Sequence, residues 1–243
     1  SRGLVGSEMC IRDSNIGVKS TTTPYGVLYA GNKNLSQYLI AEHRKQQPKT
    51  SNINIGGLPF DMLTDSVGGL PCIMKESSGS QGDGIYLFND EIQSKNTLHN
   101  FKKKDVKGLL QEFIETSSKG KRKEDIRVIV VGNRVVAYMK RFSTEDDVRS
   151  NYSISKKAEK VTLKQSEVNL CIELAQIFKL PFAGIDIMRE AKTGDSLVCE
   201  INSCPGLGIE DITGVNVAEA VIKYLEDETE GETIGKPKNQ KNK

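Results

Sequence analysis

The sequence offers little to an enzyme that works through histidine or a reactive thiol. It has two histidines, His43 and His99, both in polar stretches of helical character. A zinc centre or an imidazole-based triad therefore has almost nothing to draw on. Its five cysteines, Cys10, Cys72, Cys171, Cys199 and Cys204, are odd in number and form no C-x-x-C pair. Cys72, Cys171 and Cys199 sit inside apolar runs and read as buried free thiols of a cytoplasmic protein. An excess of one charge is missing too. The 34 Lys and Arg against 32 Asp and Glu leave +2, which gives no electrostatic footprint for direct nucleic-acid binding. No apolar run reaches the length of a membrane helix. The phosphate-binding motifs are also absent. Gly79 and Gly84 have Walker A spacing, but Ile85 and Tyr86 stand where Lys and Ser or Thr are required. Gly79, Gly82 and Gly84 do not make the dinucleotide fingerprint, because a strand rather than a helix follows them.

What is present is a composition of an ordinary globular chain with room for one large domain or two small ones. Ser1 to Ser14 (SRGLVGSEMCIRDS) has no amphipathic period and no signal-peptide core. It resembles a translated adapter or vector remnant, the alternative being a native tail. The whole of 1–31 is expected to be a non-native or disordered lead-in, with one weak strand at Gly26 to Tyr29.

The most informative stretch is a predicted strand, Pro71 to Lys75, a loop Glu76-Ser77-Ser78-Gly79-Ser80-Gln81-Gly82-Asp83-Gly84, and a returning strand Ile85 to Phe88. Glycine lets a loop bring backbone N–H groups to an anion, and Lys75 at its base adds a point charge. It reads either as a phosphate lid or as an exposed hairpin with a long tip. Asn32 is a predicted N-cap for a helix over Lys33 to Gln46, with Leu35, Tyr38 and Leu39 at helical spacing. Lys33 would then lie in the first turn, where the helix dipole disfavours a cation. A bound phosphate or a plain surface position are the two explanations.

Further along, Ile53 and Ile55 read as a strand, Asp61 to Val67 as a helix, and Asn89 to Leu98 as another. Gly108 to Ile114 is an apolar strand entering a basic loop, Glu115 to Glu124. That loop either contacts an acidic substrate or is a solvated insertion. Asp125 to Val131 and Arg134 to Arg141 form a hairpin around Gly132-Asn133, with Asp125 and Arg127 on one face. Thr162 opens the strongest helix, its apolar face being Val168, Ile172, Ala175 and Ile177. Asn216 to Leu225 is the last helix, and 227–243 reads as a disordered charged tail.

Two strands near the C-terminal end carry the second feature. Phe182 to Met188 and Ser196 to Asn202 are joined by a tight turn and should pair antiparallel. Alternation puts Leu197, Cys199 and Ile201 on one face and Val198, Glu200 and Asn202 on the other. Asp186 interrupts an apolar strand, which is costly unless it is paired or ligates a cation. Asp186, Glu200 and Asn202 would converge as a hard oxygen site suited to Mg²⁺. The alternative is that the acids pair with Arg127, Arg141 or a backbone N–H.

The order Lys75 with its glycine loop, Gln111-Glu112-Phe113-Ile114, Asp125-x-Arg127, Arg149-Ser150-Asn151, Gly184-Ile185-Asp186, Glu200-Ile201-Asn202 and Pro205-Gly206 resembles the ATP-grasp ligases. Among them it is most similar to the RimK-type α-L-glutamate ligases and the related lysine-biosynthesis ligases, over about Asn32 to Leu225. The resemblance implies an α+β fold of two lobes whose antiparallel sheets clamp ATP, a lid lobe over 32–114 and a C-terminal lobe with the metal site over 115–226. It implies that Lys33 and Lys75 contact the α- and β-phosphates under the loop of Gly79, Gly82 and Gly84. Gln111, Glu112, Phe113 and Ile114 would form the hinge against adenine, and Asp125 and Arg127 would approach the nucleotide. Asp186, Glu200 and Asn202 would hold two Mg²⁺ ions, with Mn²⁺ as a substitute. Arg149 and Asn151 would face the γ-phosphate and an acyl-phosphate intermediate. The implied reaction joins a carboxylate to an amine at the expense of ATP. Its expected partners are an amino-acid donor such as glutamate and a peptide, protein or small-molecule acceptor, with a homo-oligomer left open.

Three departures bear on this. The N-terminal α/β domain of the family has no counterpart before Asn32. Tyr152 to Lys157 stands where the family has a basic and Gly-Gly stretch, and Glu115 to Glu124 is longer and more basic than expected. The rival reading is an ATP-binding module without ligase activity.

Overall fold

The computed structural model describes residues 19–53, 58–77, 84–116, 124–143 and 157–233, with side chains to 226. The loop glycines Gly79 and Gly82, and Arg149 and Asn151, lie outside the described residues.

The first described element is a helix, α1 (Pro24–Ala30), where a weak strand is predicted. Thr23 caps it, its hydroxyl accepting from the Gly26 amide at 2.9 Å, and Pro24 supplies a preset φ at the first helical position. Gly26 is buried against Leu180 and the Phe178 carbonyl, leaving no room for a Cβ. Tyr25, Tyr29 and Ala30 pack on the core, so this part of the expected lead-in is ordered. Short strands and single helical turns share the same local signal, and tertiary packing decides between them.

Helix α2 (Lys33–Glu42) starts where expected, Asn32 Oδ1 accepting from the amides of Asn34 and Leu35. It stops four residues early, because Arg44 adopts a left-handed conformation at φ 53°. Its buried face is Ser36, Gln37, Leu39 and Ile40, and Tyr38 is exposed.

β1 (Thr50–Asn52), α3 (Phe60–Asp65), β2 (Cys72–Glu76), β3 (Ile85–Phe88), α4 (Glu91–Lys103) and β4 (Gly108–Glu112) make up the first lobe, whose core, among the described residues, includes no residue of α1 or α2. The sheet order is β1-β4-β2-β3, all antiparallel. Ile53 is buried beside β1 rather than extending it. One face of the sheet, through Cys72, Met74, Phe88 and Leu110, packs on Leu63 and Leu98 of the helices. Alternation turns Lys75, Leu109 and Gln111 to the opposite face.

The second sheet is built from β5 (Glu124–Val131), β6 (Arg134–Phe142), β7 (Ala158–Glu159), β8 (Phe182–Arg189) and β9 (Ser196–Asn202), in the order β7-β6-β5-β8-β9. Helix α5 (Gln165–Ile177) covers one face. Its buried stripe is Cys171, Leu174 and the predicted Ala175, continued by Phe178; of the other predicted positions Ile177 packs partly buried against this core, and Val168 and Ile172 are only half-buried. These meet Ile126, Val128, Val130, Ile185, Ile187, Val198 and Ile201, joined by Leu39 and Ile40 of α2. Burial of such side chains contributes about 1.5–3 kcal/mol each.

The other face is divided. At one end Ile129, Val131, Ala137 and Met139 are covered by Ile209, near α6 (Glu210–Thr213), and by Val217 of α7 (Val217–Thr233). At the other end it carries charge. α7 continues to Thr233, so the helix runs through the first residues of the predicted disordered tail.

Candidate nucleotide site

The charged end of the sheet follows from strand register. Asp125 lies opposite Arg141, Arg127 opposite Asp186, Asp186 opposite Glu200, and Gly184 opposite Asn202. Directly paired residues share a face, so Asp125, Arg127, Arg141, Asp186, Glu200 and Asn202 line one surface. The predicted convergence of Asp186, Glu200 and Asn202 is therefore present.

One part of the predicted alternation fails. Asp186 pairs with Glu200 but Ile187 pairs with Val198, so Cys199 is an extra residue without a partner on β8. This bulge returns Val198 to the core beside Ile201, instead of placing it with Glu200 and Asn202. It also turns the Cys199 thiol toward the first lobe, where Sγ lies 3.7 Å from Lys75 Nζ.

The acids are not equivalent. Asp186 is 3% exposed and clamped by two arginines. Arg127 donates to it bidentately through Nε and Nη2, the latter at 2.8 Å, and Arg141 Nη2 reaches Oδ1 at 3.0 Å. Arg141 in turn donates to Asp125 through Nε and Nη2, both at 2.7 Å. Burial pushes the Asp186 carboxyl up, but the two guanidiniums outweigh it and hold it below the ordinary carboxylate range. The ion-pair alternative for Asp186 is thus realised, and Asp125 spends its carboxylate on Arg141. Gly184 makes room for this network, since a Cβ there would come within 3.1 Å of Arg127 Nη1 and 2.6 Å of Pro205 Cβ.

Glu200 is half-buried and faces the first lobe. Lys75 approaches from there, and Lys33 from the start of α2. Burial pushes the Lys33 ammonium below its ordinary value; the Glu200 charge opposes this and the Lys75 charge reinforces it. The cation placed against the helix dipole is therefore one of two that meet beside an acid strand of the second sheet. The start of the lid loop is fastened at the same point. The Lys33 amide donates to the Ser77 carbonyl at 3.1 Å, and Asn34 Nδ2 to Ser77 Oγ at 3.1 Å. Gly84, on the far side of the loop, has φ +75°, and a Cβ there would collide with Glu76.

The connection between the sheets contains Glu112, Phe113 and Ile114, where a hinge is predicted. The Glu112 amide donates to the Lys49 carbonyl and its carboxylate accepts from the Lys49 amide. Phe113 is half-buried and Ile114 buried, and the Glu115 carbonyl accepts from Ala191 beyond β8. Gln111 is 2% exposed, and its side chain bonds within the protein rather than facing the cleft.

Among the described residues no group of three or more His, Cys, Asp or Glu is placed to hold a metal. The donor set nevertheless fits a hard cation that shares its coordination with phosphate, which needs one or two carboxylates. Asn202 shares the face of Asp186 and Glu200 and adds an amide oxygen to the two carboxylates, while its Nδ2, a donor buried with no hydrogen-bond partner, calls for an acceptor such as a phosphate oxygen. Sequence reading missed Gln37 and the exact alignment of Arg141. Arg141 had a signal, being opposite Asp125 in a hairpin whose turn was legible.

Two antiparallel sheets, one carrying Lys75 on β2 and the other Asp186 and Glu200 on paired strands, form an ATP-grasp architecture. The chain belongs to the family of RimK-like ATP-grasp domains, whose model matches residues 30–225. It is 42% identical over 168 residues to a protein of Picosynechococcus named "Probable alpha-L-glutamate ligase", covering 69% of this chain and 54% of that one. A protein of Hahella chejuensis named "Probable alpha-L-glutamate ligase 2" is 32% identical over 210 residues, 86% and 67% of the two chains. The chain thus spans about half to two thirds of these relatives' length. Among solved structures, the ATP-grasp ligase PsnB complexed with minimal precursor matches with TM-score 0.70 at 18% identity, over 94% of this chain and 69% of that one. D-alanine–D-alanine ligase from Bacillus anthracis complexed with ATP matches with TM-score 0.68 at 17% identity, over 92% and 76%. These likenesses carry the fold. No helix among the described residues is long and apolar enough to cross a membrane.

Proposed function

We propose that the chain is the nucleotide-binding part of an ATP- and Mg²⁺-dependent carboxylate–amine ligase. It activates a carboxylate as an acyl phosphate and transfers the acyl group to an amine, with glutamate or a related amino acid as donor and a peptide or protein as acceptor. The observation that carries this reading is that Lys75 crosses from the first lobe to the Cys199 thiol at 3.7 Å while Lys33 of α2 lies within electrostatic reach of both Lys75 and Glu200, the latter opposite Asp186.

Each residue then has a definite task. Lys33 and Lys75 neutralise phosphate oxygens; burial above all, and then the Lys75 charge, lowers the basicity of Lys33 against the opposing Glu200 charge. Glu200, Asp186 and Asn202 would hold Mg²⁺, which when bound spreads the negative charge of the transferring phosphoryl group. Arg127 and Arg141 keep Asp186 ionised and oriented. Glu112, Phe113 and Ile114 supply the hinge against the base. Arg149 and Asn151 complete the reading as groups for the γ-phosphate and acyl phosphate. Phosphoryl transfer relies on positioning and charge more than on an acid–base pair, so a site without histidine suffices.

The test is calorimetric binding of Mg²⁺-ATP to this chain, followed by ADP release from the whole protein with glutamate and candidate acceptor peptides. Binding plus glutamate-dependent ADP release is expected. Binding without turnover against any carboxylate and amine would leave a nucleotide-binding module and sink the ligase reading. The family relationship to named glutamate ligases supports the donor.

A further inference from the structure

We infer that Gln37 and Gln111 form a buried amide relay that sets the Cys199 bulge, making both positioning residues for the nucleotide site. The inference rests on the nucleotide reading of that site. Gln37 is 6% and Gln111 2% exposed, and they come from different elements, α2 and β4. A neutral amide buried this deeply must find partners or destabilise the fold. Gln111 Nε2 donates to Gln37 Oε1 at 3.3 Å and to Thr50 Oγ1 at 3.0 Å. Gln37 Nε2 donates to the Cys199 carbonyl at 3.2 Å.

The direction of the relay is dictated at both ends. The Cys199 carbonyl can only accept, so Gln37 must present its NH₂ there and its oxygen to Gln111. The Thr50 hydroxyl donates to the Pro48 carbonyl at 2.9 Å, which makes it an acceptor toward Gln111. Reversing either amide would set acceptor against acceptor.

The relay ends on the one residue of β9 that the register skips. The neighbouring Val198 amide donates to the Gln46 carbonyl at 2.9 Å. Backbone groups on both sides of the bulge are therefore held by the segment around α2 and β1. The bulge in turn puts the Cys199 thiol against Lys75 and leaves Glu200 facing Lys33. The spacing between these lysines and the acids of the second lobe is thus set by two neutral side chains, which add no charge to a site meant for phosphate.

Gln37→Met and Gln111→Met keep the side-chain length and remove the donors. Two readouts are taken on the full 243-residue chain. One is the rate of iodoacetamide labelling of Cys199 without nucleotide, resolved by peptide mass spectrometry, with exposed Cys204 as internal control. The other is the Kd for Mg²⁺-ADP. Each variant is expected to speed Cys199 labelling, leave Cys204 unchanged and weaken nucleotide binding by about threefold to tenfold. The double variant should be no worse than the weaker single, because a relay broken once is broken. If one single variant does not fold, the other carries the labelling test. Unchanged Cys199 labelling, or fully additive losses, would overturn the relay. Faster Cys199 labelling in a chain whose unaltered form binds no Mg²⁺-ADP would uphold the relay and overturn the nucleotide reading instead.

Discussion

The two sheets handle charge in opposite ways. On the five-stranded sheet, Asp125 and Asp186 are matched by Arg127 and Arg141 through bidentate bonds on one buried surface. On the four-stranded sheet, buried Lys75 reaches the Cys199 thiol at 3.7 Å, and Lys33 of α2 lies near enough for its charge to be felt. A buried network that neutralises itself holds a scaffold together. Lys33 and Lys75 instead lie close enough for each charge to act on the other, beside Glu200 and Glu76, an arrangement suited to a ligand with negative charge. The contrast separates charge that is matched within the protein, Asp186 included, from charge that gathers where the proposed nucleotide would bind.

The comparison breaks most decisively at Asp186. Asp186→Ala strands two guanidiniums in a buried setting, and about 3–5 kcal/mol of stability should be lost, read as a lower urea midpoint. A loss below about 1 kcal/mol would mean that the network contributes little to the scaffold. Lys75→Met should do the reverse. It removes a charge-assisted contact to phosphate, so Mg²⁺-ATP affinity should fall about tenfold or more, while the urea midpoint stays nearly unchanged. A large stability loss with intact affinity would reassign Lys75 to the scaffold. Glu200→Gln is a finer probe. Stability should change by less than about 1 kcal/mol, as for a half-exposed group outside the buried pairs, and the Mg²⁺-dependent part of nucleotide binding should vanish. Unchanged Mg²⁺ dependence would remove Glu200 from the metal set.

pH gives the smallest and most selective effects. The folded Asp186 carboxyl titrates below the unfolded value of about 3.9. The unfolded chain therefore binds more protons in that interval. The stability owed to Asp186 is complete above the unfolded value and is lost as pH falls through the folded one. Urea midpoints across acidic pH should show this slope in the native sequence and a shallower one in Asp186→Ala. Lys33 has the opposite geometry, its folded value being lowered by burial. Nucleotide affinity should decline on the alkaline side earlier than an ordinary lysine would dictate. Lys33→Arg, which stays charged, should abolish that decline; an unchanged profile would show that another group titrates.

Much of this was legible in the residues. Asn32 as a cap, the paired strands around 182–202, the hairpin at Gly132-Asn133 and the convergence of Asp186 with Glu200 all follow from local signals and alternation. The failures have identifiable causes. Gly26 to Tyr29 is helical because Thr23, Pro24 and a Gly26 packed against Leu180 favour a helix there. Val198 was assigned to the wrong face because alternation assumes an unbroken ladder, and the bulge at Cys199 has no local sequence mark. Gln37 looked like any polar residue of an amphipathic helix, yet it is buried and holds a carbonyl far away in sequence.

By itself the sequence determined the element types, the chemistry of the donors and the pairing of the acid strands. Those depend on cap residues, period-two alternation and the scarcity of an acid in an apolar strand, all of which act over a few residues. Only the tertiary structure decided which acid is already satisfied and which faces the lysines. It alone placed Gln111 inside the protein and put a one-residue bulge next to the Asp186–Glu200 pair. Those outcomes depend on partners from separate elements meeting in a low-dielectric interior, where every buried polar group must be matched. No window of neighbouring residues contains that information.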